Sequence, residues 1–266
     1  MAETGLVLYH DGMSSSSQKV RLCLAEKALA WESHPVSLRG GEHQQDWYRK
    51  LNARAVVPTL LDDGEPILES TVINEYLDAK FAANPLMPRA PLGQARVRYW
   101  TKQVDDGIHD GCIAVLAYAV AFRDVQLKNA DAALAAIDRI PDAFKRERRR
   151  DILRHGLDSV HVALALQRMR QFFGDLDEAL SVGPWILGNQ YSLADVALVP
   201  YVTRISDLNI LGVAAGCGNA LSWFERCRER PSYADAVTRW EDATQLALMR
   251  QGGEEYWPKV RDILSL

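Results

Sequence analysis

Leu6-Val7-Leu8-Tyr9 leads, after a short break, into Ser14-Ser15-Ser16-Ser17-Gln18-Lys19-Val20-Arg21. The apolar stretch reads as a strand over residues 6–10. Val20, Cys23 and Leu24 recur at helical spacing, which predicts an amphipathic helix over about residues 20–27. A strand–turn–helix junction sets hydroxyls beside the unpaired N–H groups of a helix start, a setting that favours an anion or a thiolate. A run of serines also serves as a plain helix cap, and taken alone it supports that reading better.

The next residues extend the alternation. Residues 31–37 read as a second strand, parallel to the first through a right-handed crossover. Arg39-Gly40-Gly41-Glu42 opens a polar loop, and residues 47–51 suit a short helix. Val57-Pro58-Thr59-Leu60-Leu61 and Pro66-Ile67-Leu68-Glu69 flank Asp62-Asp63-Gly64-Glu65, a hairpin with its turn residues in place. Ser70 is placed to cap a helix over residues 71–81, with Val72, Ile73, Tyr76 and Leu77 on one face. The order is β-α-β-α-β-β-α. A proline-dense stretch, Asn84-Pro85-Leu86-Met87-Pro88-Arg89-Ala90-Pro91, then marks a boundary.

Beyond Pro91 the pattern is helical. Residues 92–125 suit one long helix or two, with bends at Gly107 and Gly111. Further helices are expected over 131–140, 151–173, 220–229 and 232–248. Lys145-Arg146-Glu147-Arg148-Arg149-Arg150 reads first as a solvated helix face and second as an anion site. Ser192-Leu193-Ala194-Asp195 has the spacing of a capping box, a folding device.

The totals exclude several classes. With 266 residues, 48% hydrophobic and 25% charged, the chain has ordinary globular composition and room for one large or two smaller domains. A net charge of −4 leaves no electrostatic footprint for nucleic acid. No apolar run approaches the roughly 20 residues that span a bilayer, and residues 1–5 lack the features of a signal peptide, so a cytoplasmic protein without membrane or nucleic-acid partners is expected. Cys23, Cys112, Cys217 and Cys227 are scattered, as are the six histidines, which predicts buried thiols and no metal site.

Taken together the motifs resemble the cytosolic glutathione transferases of serine type. The fold this implies is an α/β thioredoxin-like N-terminal domain (residues 1–84), a linker (85–91) and an all-α C-terminal domain (92–266). Ser14-Ser15-Ser16-Ser17-Gln18-Lys19-Val20-Arg21 is similar to the S-S-C-S-x-R-V-R signature of the zeta class, with serine at position 16 in place of cysteine. The resemblance implies that Ser14 hydrogen-bonds the glutathione sulfur, with Ser15, Ser16 and Ser17 as rival donors. It implies that Val57 offers its backbone to the cysteinyl residue before a cis Pro58. It further implies that Glu69 and Ser70 hold the γ-glutamyl end, and that His43, Gln44 or Gln45 meets the glycyl carboxylate. The hydrophobic substrate site of the family lies between the serine loop and the first long helix of the second domain, which makes Met13, Tyr99, Trp100, Gln103, Val104, Ile108 and Tyr118 candidates. Such an aromatic and apolar stripe also suits plain packing.

Val72-Ile73-Asn74-Glu75-Tyr76-Leu77, Trp100-Thr101-Lys102-Gln103-Val104-Asp105 and Ile140-Pro141 with the basic run are similar to the bacterial β-etherase branch. The activity implied is attack of a glutathione thiolate on a hydrophobic electrophile. β-Aryl ether cleavage, zeta-type isomerisation and non-catalytic glutathione binding stand as alternatives. Glutathione as co-substrate, no metal, and a homodimer complete the expectation.

Overall fold

A computed structural model describes residues 5–140 and 142–265. Residues 1–4, Pro141 and Leu266 lie outside the described residues. The reading of the extreme N-terminus and the proline of the Ile140-Pro141 motif fall there.

Compactness divides the chain into two units: Met1–Lys102 with Val182–Pro200 and Trp223–Asp242, and Gln103–Ser181 with Tyr201–Ser222 and Ala243–Leu266. The first unit is built on a four-stranded sheet of β1 (Leu6–His10), β2 (Glu32–Pro35), β3 (Thr59–Asp62) and β4 (Glu65–Leu68), ordered β2-β1-β3-β4. β1 pairs with β2 in parallel and with β3 antiparallel, and β3 pairs with β4 antiparallel. In that register His10 lies opposite Pro35, Tyr9 opposite Thr59, and Thr59 opposite Leu68. The ends of β1, β2 and β4 and the start of β3 therefore share one end of the sheet. This is the thioredoxin-like arrangement that the sequence resemblance implies.

Two helices start at that same end. α1 (Ser15–Glu26) begins earlier than the apolar periodicity predicts, because Ser14 caps it and the next three serines form its first turn. Its buried face carries Gln18, Lys19 and Arg21 as well as Val20, Leu22, Cys23 and Leu24, so a count of apolar residues sees only half of the face. Lys19 Nζ donates to Thr71 Oγ1, and the Arg21 side chain is spent on backbone carbonyls. α2 (Asp46–Leu51) precedes β3, and α3 (Ser70–Lys80) follows β4 with Glu69, not Ser70, at its N-cap position. The proline-dense linker is held from within this unit. Buried Lys27 bonds Asp78 at 2.8 Å and the Ala83 and Asn84 carbonyls, while Asp78 accepts from the Leu86 and Met87 N–H groups at 2.8 and 2.9 Å.

The remaining helices are α4 (Pro91–Gln103), α5 (Ala114–Ala117), α6 (Arg123–Leu127), α7 (Ala130–Asp138), α8 (Ala143–His155), α9 (Val160–Ala179), α10 (Leu193–Asp207), α11 (Gly218–Arg228), α12 (Pro231–Ala236) and α13 (Ala243–Leu264). Val104–Ile113 and Tyr118–Phe122 are wound as π-helix, and the first of these contains both glycines expected to bend the helix. The basic run lies inside α8. The single helix expected over 151–173 is two, because Gly156 at φ 57° and ψ −127° turns the chain between α8 and α9. The helix expected over 232–248 is likewise α12, a 3₁₀ turn at Thr238–Trp240, and α13. α13 packs on the π-helical Tyr118–Phe122. A Cβ on Gly252 would lie 2.1 Å from the Val120 carbonyl oxygen, so only glycine admits that approach.

The capping box is realised at the start of α10. Ser192 Oγ accepts from Ala194 N at 3.2 Å, and buried Asp195 accepts from Ser192 N, Ser192 Oγ, Ile186 N and Trp223 Nε1 at 2.9–3.1 Å. All four cysteines are free thiols, and Cys23, Cys112 and Cys227 are buried. No helix among the described residues is long and apolar enough to cross a membrane.

Candidate glutathione site

The sheet register gathers the serine loop, the loop after β2, the Val57-Pro58 turn and the Glu69-Ser70 corner at one end of the sheet. The N-termini of α1 and α3 open there too, each with unpaired N–H groups and the positive end of a helix dipole. That end of the sheet suits anionic groups before any side chain is considered.

Ser14 is half-buried, and its Oγ accepts from the Ser17 N–H at 3.3 Å, so its own proton remains available to another acceptor. Ser17 is fully buried, and its Oγ accepts from Asp11 N at 3.4 Å; its hydroxyl ties the loop together. Ser15 is buried and Ser16 half-buried within the first turn of α1. Asp11 shapes the loop by accepting from Met13 N at 2.9 Å and from Leu38 N at 3.1 Å.

Arg21 ends the serine motif and holds the loop from below. Its guanidinium donates to the carbonyls of Asp11 (3.1 Å), Gly12 (2.7 Å) and Ala236 (2.8 Å) and to His10 Nδ1 (3.0 Å). It also lies 5.1 Å from the ring centroid of Trp240, whose ring meets His10 edge-on. Burial lowers the Arg21 pKa to about 9, opposed by Asp11. His10 Nε2 lies 2.9 Å from Ser33 Oγ, and burial, then Arg21 and His34, push the His10 pKa down to about 3. His10 is therefore the neutral Nε2–H tautomer, accepting from Arg21 through Nδ1.

The Val57-Pro58 peptide is cis, as the resemblance implies. Tyr48 Oη donates to the Val56 carbonyl at 2.7 Å, and Asn52 Nδ2 to the same oxygen at 2.9 Å and to Thr59 Oγ1 at 3.2 Å. Val57 itself packs with Val36 and Tyr48. These contacts fix the backbone on both sides of Val57, the residue whose main chain the resemblance implies for the cysteinyl contact.

Glu69 stands at φ 67° and ψ 115°, a conformation that costs a non-glycine residue on the order of 1–3 kcal/mol. Its carboxylate pairs with Arg54, a residue the sequence motifs do not single out. Only the fold joins the two, by placing the turn before β3 beside the end of β4. An acid, a guanidinium and the Ser70 helix start together offer a partner to each charge of an α-amino acid group.

His43 and Gln44 form a short 3₁₀ turn with Glu42, and burial lowers the His43 pKa. Gln45 Oε1 accepts from Trp47 Nε1 at 2.8 Å, while Gln44 is exposed. Met13 is nearly buried beside the serine loop, its sulfur 3.3 Å from Asp242 N. Of the helical candidates, Tyr99 is exposed, Gln103 half-buried, and Trp100, Val104, Ile108 and Tyr118 buried.

A four-stranded β2-β1-β3-β4 sheet with a cis-proline turn, followed by helices, defines a thioredoxin-like protein with an appended helical region. Residues 13–80 match the glutathione S-transferase N-terminal domain, and residues 161–231 match the glutathione S-transferase C-terminal domain. The chain belongs to the glutathione S-transferase family. It is 32% identical over 197 residues to protein LigF of Sphingobium sp. strain SYK-6, across 72% of this chain and 75% of LigF. The crystal structure of the β-etherase LigF from that strain matches with a TM-score of 0.77 at 27% identity, covering 88% of this chain and 99% of the other. Maleylacetoacetate isomerase of Pseudomonas aeruginosa is 41% identical over 105 residues, or 38% of this chain and 50% of the isomerase.

Proposed function

We propose that this glutathione transferase activates its co-substrate through Ser14 and directs the thiolate at the alkyl β-carbon that bears the aryloxy group of a β-aryl ether. The observation that carries the first part is the Ser14 geometry: its oxygen is held by the Ser17 N–H, which aims the hydroxyl and leaves its proton for the sulfur. A thiol with a pKa of about 8.5 is mostly protonated at neutral pH, whereas the thiolate is the nucleophile. A hydroxyl donor and the α1 N-terminus both favour the anion, and each pKa unit corresponds to about 1.4 kcal/mol.

In this reading the Val57 backbone pairs with the cysteinyl residue. Glu69 takes the γ-glutamyl ammonium, while Ser70 and Arg54 take its carboxylate. His43, Gln44 or Gln45 meets the glycyl carboxylate, and Ser15 and Ser16 are the rival sulfur donors. Holding the tripeptide at all these points supplies orientation of the nucleophile, one contribution to the rate of a bimolecular substitution.

The likeness to LigF supports the ether as substrate. A carbon–sulfur bond forms as the carbon–oxygen bond breaks, the phenolate leaves with the bonding pair, and the thiol proton passes to solvent. The match to maleylacetoacetate isomerase supports a second reading, addition of the thiolate followed by its departure. We place the protein in the cytoplasm as a homodimer, on the strength of the family resemblance; sedimentation of the purified chain at monomer mass would overturn the dimer.

The test is retention on immobilised glutathione followed by turnover of a lignin-model β-aryl ether, read as phenol release. Ser14→Ala should retain glutathione binding and lose on the order of 10²-fold in kcat. Unchanged activity in that variant would move the role to Ser15 or Ser16, and failure to retain glutathione would remove the whole reading.

A further inference from the structure

The helical unit contains a feature that the glutathione chemistry does not use. Residues 110–115 and α8 enclose a partly open cavity of about 100 Å³. Lys145, Arg148 and Arg149 line it with one carboxylate, Asp110, and Lys145 already pairs with that carboxylate. Three cations therefore share one carboxylate, which acts electrostatically on both Arg148 and Arg149 while it pairs with Lys145. Among the described residues neither the Arg148 nor the Arg149 side chain makes a hydrogen bond or an ion pair. Both instead stack on aromatic rings, Arg149 with its Cζ 3.9 Å from the Tyr118 centroid and Arg148 with its Cζ 5.8 Å from that of Phe144.

A guanidinium stacked by its face keeps its edge N–H groups free, and that edge is the part that matches a carboxylate in a two-point bond. A second observation points the same way. Tyr118 is 2% exposed, and its hydroxyl has no partner among the described residues. An unpaired buried hydroxyl is destabilising, so its retention beneath Arg149 calls for a reason. The rest of the lining is apolar, with Ala114, Val115, Ile140 and Ile152. Residues 104–113 and 118–122 are π-helical on either side of Ala114 and Val115, and such irregular turns gather at functional sites.

We propose that this cavity is a binding site for the carboxylate of an aromatic acid, the anion held by the edges of Arg148 and Arg149 and shielded from water by Val115 and Ile152. The cavity is smaller than the roughly 150 Å³ that takes up benzene in a closed protein core, so it seats the acid end while the rest of the ligand emerges through the mouth. Burial lowers the Arg149 pKa, the condition in which an arriving anion is most strongly held. The site lies wholly within one compact unit and does not depend on the serine loop.

The test is calorimetric titration of the full-length protein with benzoate, without glutathione. Saturable one-to-one binding is expected, with benzyl alcohol weaker by about tenfold or more because it cannot use the charged bonds. Arg149→Gln and Arg148→Gln should each weaken benzoate by about tenfold while thermal unfolding and retention on glutathione stay as in the parent. If Arg149→Gln fails to fold, Arg148→Gln carries the test, since its side chain stacks only at the surface. Absence of saturable benzoate binding, equal binding in a folded variant, or inorganic sulfate binding as tightly as benzoate would each overturn the proposal.

Discussion

Arg21 gives the serine loop its shape, and the sequence motif that contains it is easily credited to the serines alone. Its side chain is 1% exposed and its four hydrogen bonds leave no carboxylate in the set. Arg21→Lys keeps the charge and loses the fork, so a buried ammonium faces three carbonyls it cannot all reach. The expected loss is about 3 kcal/mol in urea unfolding, with weaker glutathione retention because Asp11 and Gly12 are released. A parental midpoint in that variant would contradict the role. His10 adds a pH dependence to the same cluster. Its folded pKa of about 3 lies below the ordinary 6.5, so its contribution to stability is complete above pH 6.5 and is withdrawn as pH falls toward 3. The slope is about 1.4 kcal/mol per pH unit once the unfolded chain is protonated. His10→Gln keeps an acceptor for Arg21 and a donor for Ser33 without titrating; its stability between pH 6.5 and 4.5 should fall less steeply than the parent's. At this scale the sequence shows Ser14, Val57-Pro58 and Glu69-Ser70, because each stands in a local motif. Arg54 and Asp11 stay hidden there, since their partners Glu69 and Leu38 are brought to them only by the fold.

Elements were legible where one face is apolar and the ends carry turn residues. β1 coincides with its expected span, the hairpin appears with its turn at Asp63 and Gly64, and Ser192-Asp195 caps α10 as the spacing predicts. The misjudged boundaries have physical causes. The first turn of α1 is made of serines, which carry no hydrophobic period, and α8 and α9 present continuous helical spacing across a turn that one glycine creates. Gly156 sits at φ 57° and ψ −127°, where a side chain is strained, and its Cβ would meet the Arg123 guanidinium at 3.1 Å. Arg123 in turn donates to the Leu153 carbonyl at 3.0 Å, near the end of α8. Gly156→Ala should therefore cost about 1–3 kcal/mol in chemical denaturation, while Gly174→Ala, in the open interior of α9, should be neutral or stabilising by up to about 1 kcal/mol. Equal effects at the two glycines would show that the α8–α9 corner does not depend on its backbone conformation.

For the whole molecule, the order of the chain and its compactness differ. The change from mixed to purely helical pattern at the proline-dense linker is plain in the sequence, because strand alternation and hairpin chemistry stop there. Compactness nevertheless joins the sheet to Val182–Pro200 and Trp223–Asp242, segments more than 90 residues further on. No local pattern announces this, since the links are single polar side chains and backbone groups. Arg21 donates to the Ala236 carbonyl at 2.8 Å, Glu26 pairs with Arg230 at 2.6 Å and accepts from Ser232, and Leu193 N bonds the Leu86 carbonyl at 3.1 Å. α12 packs directly on α1, whose polar buried face would otherwise meet water. A fragment of residues 1–91 keeps the whole sheet and every glutathione contact proposed above, yet it loses Ala236, one of the four partners of Arg21, and both Arg230 and Ser232, the partners of Glu26. Removing one side of a buried hydrogen-bonded charge costs about 3–5 kcal/mol, comparable to the margin by which a small domain is stable. That fragment should show no cooperative thermal transition by circular dichroism and no retention on immobilised glutathione, whereas the full chain shows both. A cooperative transition in the isolated fragment would mean that the sheet and its three helices are sufficient, and that the segment from Arg230 to Trp240 only covers a surface already stable without it.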